Sequence, residues 1–177
     1  MKFTLLFLFF MPIGSSVALF DFTSDSEINN WRVVDDVVMG GRSSGNFSLT
    51  EDGHAKFSGN VSLENNGGFS SVRYGFPNQV DVEKYSKVRL KVKGDGKNYQ
   101  FRIKANSRDY YSYITSFETN GEWEEIVIKL KDLYPSWRGR ELDQPNYAGG
   151  SLKEVTFLIA NYKNESFELL IDKIELF

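Results

Sequence analysis

The run Lys87-Val88-Arg89-Leu90-Lys91-Val92-Lys93 alternates basic and apolar residues without a break, the arrangement of a strand with one buried face. Gly94-Asp95-Gly96 supplies a turn, and Tyr99-Gln100-Phe101-Arg102-Ile103-Lys104 then alternates in the same sense. The two runs are expected to pair as an antiparallel hairpin with a basic outer face. Short alternating runs recur from Leu19 onward, punctuated by Gly, Asn and Asp, and no segment carries a sustained helical stripe. Further strands are expected at 47–50, 54–61, 69–74, 110–117, 124–130, 155–160 and 167–177, about nine in all. Even spacing without intervening helices implies an all-β, two-sheet sandwich or barrel, and the strand count favours a jelly roll. The irregular stretch 132–151 reads either as a binding loop or as a crossover between sheets.

A chain of 177 residues can bury one self-sufficient core, and the expectation is a single domain over 19–177. The preceding segment, 1–18, has the layout of a signal peptide. Lys2 precedes the apolar stretch from Leu5 to Met11, Pro12 breaks it, and small residues end at Ser16-Val17-Ala18. That stretch is shorter than the roughly 20 residues of a membrane-spanning helix, so no such helix is expected after processing. The first arginine is Arg32, which argues against a mitochondrial presequence and for a periplasmic or secreted product. Net charge is −3, or −4 once Lys2 is removed, which lacks the basic footprint of a nucleic-acid binder. The absence of cysteine excludes disulfides, thiol nucleophiles, Cys-type zinc sites and a lipid-modified cysteine. Sequons begin at Asn46, Asn60 and Asn164.

Two passages stand out. In Trp31-Arg32-Val33-Val34-Asp35-Asp36-Val37-Val38-Met39-Gly40-Gly41-Arg42-Ser43-Ser44, a double glycine follows paired carboxylates and precedes two hydroxyls. Such a pattern implies positive-φ backbone to which short side chains hydrogen-bond. It is neither a phosphate loop, since no Gly-Lys-Ser/Thr follows, nor a dinucleotide fingerprint, since Arg42 stands where a glycine is needed. The second passage, Asn65-Asn66-Gly67-Gly68-Phe69-Ser70-Ser71-Val72-Arg73, repeats the pairing of Gly-Gly with Ser-Ser.

These two stretches resemble the signatures of the complex I intermediate-associated protein 30 family. Gly94-Asp95-Gly96-Lys97-Asn98-Tyr99, Trp123 before an apolar strand, and Trp137-Arg138-Gly139 follow in that family's order. The resemblance covers nearly everything after Ala18. It implies a galactose-binding-like jelly roll and a non-catalytic binding or assembly role, since mitochondrial members act as assembly factors of respiratory complex I. The secretory leader separates this chain from that client, so the partner expected is an unidentified protein or a glycan, and not a nucleic acid.

For catalysis the residues offer little. His54 is the single histidine and sits in an expected strand among its polar, half-exposed set. Asp35 and Asp36, adjacent on an extended chain, point to opposite faces and cannot share a proton. Glycosidase carboxylates would come from separate strands, with Glu64, Asp109, Glu118 and Asp172 as candidates that spacing does not sort. Asp21, Asp25 and Glu27 match no calcium-loop pattern, and no cofactor, metal or catalytic site is expected. Binding is expected instead at one rim, built from the two glycine loops and the Trp137-Arg138-Gly139 loop. The residues expected there are Trp31, Asp35, Asp36, Met39, Gly40, Gly41 and Ser43, then Asn66, Gly67, Gly68, Phe69 and Arg73. Arg73 and Arg138 are placed for bidentate contacts to an anionic or polar group. A carbohydrate-binding domain is the alternative, with Tyr110-Tyr111-Ser112-Tyr113 and the Trp137 loop as platforms, Tyr111 and Tyr113 pointing to one side of the strand and Tyr110 to the other. A hydrolase is the remaining one.

Overall fold

Each strand must bury the apolar side of its alternation, and in this chain two layers do so against each other. A computed structural model describes residues 16–177. Its strands are β1 (Val17–Asp21), β2 (Trp31–Asp35), β3 (Ser44–Leu49), β4 (Ala55–Val61), β5 (Ser70–Asp81), β6 (Lys87–Lys93) and β7 (Asn98–Lys104). They continue as β8 (Ser112–Glu118), β9 (Trp123–Lys129), β10 (Tyr134–Trp137), β11 (Arg140–Glu141), β12 (Ser151–Ile159) and β13 (Glu165–Leu176). The first layer runs β3-β4-β13-β6-β9, with β1 also paired to β13; the second runs β11-β10-β8-β7-β12-β5-β2. All pairings are antiparallel.

The all-β two-sheet expectation holds, and the expected strands are present with shifted ends. Four more elements, β1, β2, β10 and β11, raise the count. The expected hairpin does not form. Strand β6 lies in the first layer between β13 and β9, and β7 lies in the second between β12 and β8. Residues 94–97 therefore carry the chain from one layer to the other. Alternation reports which side of a strand is buried, and it is silent on whether the next strand is a neighbour or lies across the core. Asp95 secures this crossover: its carboxylate accepts from Lys97 Nζ at 2.6 Å, Tyr99 Oη at 2.8 Å and the Glu168 backbone N–H at 2.9 Å.

The core is filled by Val88, Leu90 and Val92 of β6, Leu169, Ile171 and Ile174 of β13, and facing rings Tyr99, Phe101 and Phe157. A bulge at Asp172 lets both Ile171 and Ile174 face inward. At one corner Trp31 packs among Phe20, Phe47 and Tyr74 at centroid distances of 4.8, 5.0 and 5.4 Å. The leader expected over 1–18 lies outside the described residues except at its end. There Val17 and Ala18 pair with Leu176 and Glu175, so a cut after Ala18 would remove the first rungs of β1. Among the described residues, no helix is long and apolar enough to cross a membrane.

Candidate functional site

The two glycine passages meet around one carboxylate. Asp36, only 1% exposed, begins a single 3-10 turn at Asp36–Met39. Its Oδ1 accepts from the Ser43 N–H at 2.9 Å, and its Oδ2 accepts from Ser43 Oγ at 2.5 Å, Gly68 N–H at 2.6 Å and Phe69 N–H at 3.2 Å. Burial alone would raise its pKa, but these donors outweigh it and hold the carboxyl below the usual range. Gly41 and Gly67 are required for space: a Cβ at either would stand 2.2 Å and 2.7 Å from the Asp36 carboxylate oxygens. Gly40 and Gly68 instead supply positive φ, at 90° and 137°.

Asp35 makes a separate network. It accepts from Gly45 N–H at 2.9 Å and Ser70 Oγ at 2.6 Å, stitching β2 to β3 and β5. The two carboxylates thus serve different networks, as extended backbone at Asp35 requires. This places Asp35, Asp36, Gly41 and Ser43 inside a structural knot, with Gly67, Gly68 and Phe69 half-buried around it. Trp31, at 7% exposure, belongs to the core and has no surface to offer a partner. Met39, Gly40 and Asn66 remain exposed.

The single rim expected from sequence is divided. Along the register through β10, β8, β7, β12, β5 and β2, the Trp137 turn extends past one end of the strands and the glycine loops past the other. Arg73 sits between them on the outer face of the seven-stranded layer. There it shares a groove with Trp137, Arg138, Arg102, Lys104 and Glu154, while Arg32 lines the continuation of that groove beyond Arg73.

The irregular stretch 132–151 is partly regular, because β10 and β11 form a hairpin in which Trp137 pairs with Arg140. The two residues between them, Arg138 and Gly139, have φ of 50° and 77°, the signs of a type I′ turn. Asparagine or glycine usually occupies the first of these positions, and arginine there costs local backbone strain. Its guanidinium lies 4.8 Å from the centroid of the Trp137 ring, which stands nearly perpendicular to that of Tyr110 at a centroid distance of 5.8 Å. Trp137 is 42% exposed and Tyr110 60%. Tyr111 is half-buried, its hydroxyl 3.3 Å from that of Tyr113, so the open ring of this strand entry is Tyr110. Sequence reasoning does not single out Arg32, Glu154 and Thr156 as site residues, and it offers Tyr110 and Arg102 only as members of a tyrosine cluster and of a basic face. Outward parity on their strands is the available signal, but strand order is needed to bring them together.

The basic face expected from β6 and β7 is likewise split between the two outer surfaces. On the first layer Arg89 pairs with Glu175 and Glu125, and Lys91 with Asp172. Asp172 also lies 2.9 Å from His54 Nδ1, and the His54 ring packs on Trp123. Among the described residues no serine hydroxyl bonds to His54, so the geometry lacks a Ser-His pair. No group of three or more His, Asp or Glu side chains is placed to hold a metal among the described residues.

Two facing antiparallel layers define a jelly-roll sandwich, here with a polar, aromatic-edged groove across one outer surface. A family 11 carbohydrate-binding module from Clostridium thermocellum, solved with a β-1,3-1,4-mixed-linked tetrasaccharide, shares it at TM-score 0.66 and 19% identity, over 91% of this chain and 94% of that one. A point mutant of the family 29 carbohydrate-binding module CBM29-2 matches at TM-score 0.57 and 10% identity, over 92% and 91%. The agarase AgWH50C matches at TM-score 0.57 and 11% identity, over 91% of this chain but 24% of its own. These likenesses concern the fold. The chain itself belongs to the complex I intermediate-associated protein 30 family, whose model matches residues 20–171.

Proposed function

We propose that this protein is a non-catalytic module that captures a saccharide chain across the outer face of the seven-stranded layer, in the groove edged by Trp137. The observation that carries the reading is the exposed pair Tyr110 and Trp137, one before β8 and the other beside the two-residue turn, edging a groove of polar side chains from β5, β7 and β12. Aromatic platforms with a few convergent polar groups are the common chemistry of sugar recognition, because sugar C–H faces stack on rings while hydroxyls are hydrogen-bonded. The likeness of the fold to the family 11 and family 29 carbohydrate-binding modules supports the same reading. The non-catalytic part is supported by His54, which lies on the other layer's side with Asp172 and Trp123 rather than in the groove. The test is a glycan array with the protein and its Trp137→Ala form: capture that depends on Trp137 is expected, and capture indifferent to it would reject the site.

A protein client is the second reading, and one observation favours it. Val37, Met39 and Leu63, at 60%, 62% and 40% exposure, form apolar tips beside the glycine loops. Cross-linking from position 39 in the native envelope should then capture a single partner. We place the work outside the cytoplasm on the strength of the Lys2-to-Ala18 leader pattern; the N-terminal sequence of the mature product tests it.

A further inference from the structure

The register of the seven-stranded layer aligns one transverse row on its outer face: Arg32 opposite Arg73, Arg73 opposite Thr156, Thr156 opposite Arg102, and Arg102 opposite Ile114. Three arginines thus stand within four neighbouring strands. Arg32 and Arg73 are directly paired like charges, an arrangement that destabilises a sheet. The opposite face is more nearly balanced. On the six-stranded layer Lys56, Arg89, Lys91 and Lys173 each have a carboxylate partner, while Lys87, Lys93 and Lys129 have none among the described residues. Among the described residues none of Arg32, Arg73, Arg102, Lys104 or Arg138 forms an ion pair, although Glu154 lines the same groove.

What these cations do have are neutral partners that orient them. Arg102 donates through Nε and Nη2 to Gln100 Oε1, Arg73 donates through Nε to Ser71 Oγ at 3.3 Å, and Lys104 donates to the Asp109 carbonyl at 2.9 Å. The remaining guanidinium N–H groups have no acceptor among these contacts. Burial, with the positive charge of Arg73 adding to it, lowers the Arg102 pKa to about 10. A half-buried, oriented and uncompensated cation pair is a fork prepared for an oxyanion, which guanidinium binds bidentately.

We infer that the groove selects an anionic saccharide, with Arg73 and Arg102 on either side of Thr156 receiving a carboxylate or sulfate borne by a sugar whose ring rests toward Trp137. This rests on the reading of the groove as a saccharide site. The ligand chemistry is a sugar-borne oxyanion, and the two sources differ in carrying a uronate or a sulfate ester.

Matched probes separate them. Oligogalacturonate is compared with its methyl ester, and κ-carrageenan oligosaccharides with agarose oligosaccharides, by calorimetry on the folded protein at low and high salt. The expected result is that one anionic member binds at least about tenfold tighter than its neutral match, with the advantage shrinking in salt. Arg73→Gln should remove that advantage, and Arg32→Gln, at an exposed position that leaves folding intact, should reduce it. Neutral members bound as well as anionic ones, with dependence on Trp137, would overturn the anion assignment and leave saccharide capture standing. Folded protein that binds none of the four would overturn both. A single-stranded oligonucleotide bound more tightly than any saccharide would also overturn it, since the row would then be a general polyanion site.

Discussion

Asp36 Oδ2 accepts the backbone N–H of Gly68, 32 residues further along the chain, at 2.6 Å, joining the two glycine loops. Four donors converge on that one carboxylate, so removing it strands buried polar groups. Asp36→Ala is expected to cost about 3–5 kcal/mol in urea denaturation, because each stranded donor costs about 1–3 kcal/mol and the site only partly relaxes. Gly41→Ala and Gly67→Ala should also be strongly destabilising, since the new methyl displaces the same carboxylate.

The same group sets an acid limit. Its folded-state pKa is lowered, so it contributes stability above the unfolded value near ~3.9 and loses that contribution as pH falls through the folded value. Asp95 is lowered as well: burial opposes the shift, and the bonds from Lys97, Tyr99 and Glu168 prevail. Thermal unfolding measured from neutrality downward should show stability falling below about pH 4. Asp36→Asn should flatten that fall without abolishing it, as Asp95 still titrates.

Trp137→Ala should change stability by no more than about 0.5 kcal/mol, since the ring is exposed, while weakening saccharide capture by about tenfold or more. His54→Ala should leave capture unchanged, because its surroundings are Asp172, Trp123 and the far layer. A loss of capture in the second variant, measured by calorimetry, would place recognition on the wrong face.

Arg138→Asn relieves a positive-φ arginine and is expected to stabilise the protein by about 0.5–1 kcal/mol. It also removes the guanidinium over Trp137, so affinity should drop as stability rises. Guanidinium chloride midpoints set beside binding isotherms would show whether the two move in opposite directions.

Much of this architecture is readable from residues. Alternation in 87–93 and 99–104 correctly assigns the inward side chains Val88, Leu90, Val92, Tyr99, Phe101 and Ile103. It does not show that these strands belong to different layers, because side-chain parity is identical for a hairpin and for a crossover. Gly94 carries a cue of that kind: a Cβ there would meet Thr119 at 2.4 Å, a close approach with no one-dimensional signature. The double-glycine passages are legible as special backbone, yet sequence overestimates their exposure. What makes them distinctive is their fit around buried Asp36. The arginine row needs strand order above all, since Arg32, Arg73 and Arg102 are far apart in the chain.

The crossover at 94–97 gives the molecule two unlike coats. Laid on a polymer by its seven-stranded side, it would turn toward the medium a surface on which Arg89 and Lys91 are already matched by Asp172, Glu125 and Glu175. With the proposed groove as its binding face, adhesion would be one-sided: copies would line up along a strand without tying it to a second one, coating a charged fibre instead of gelling it.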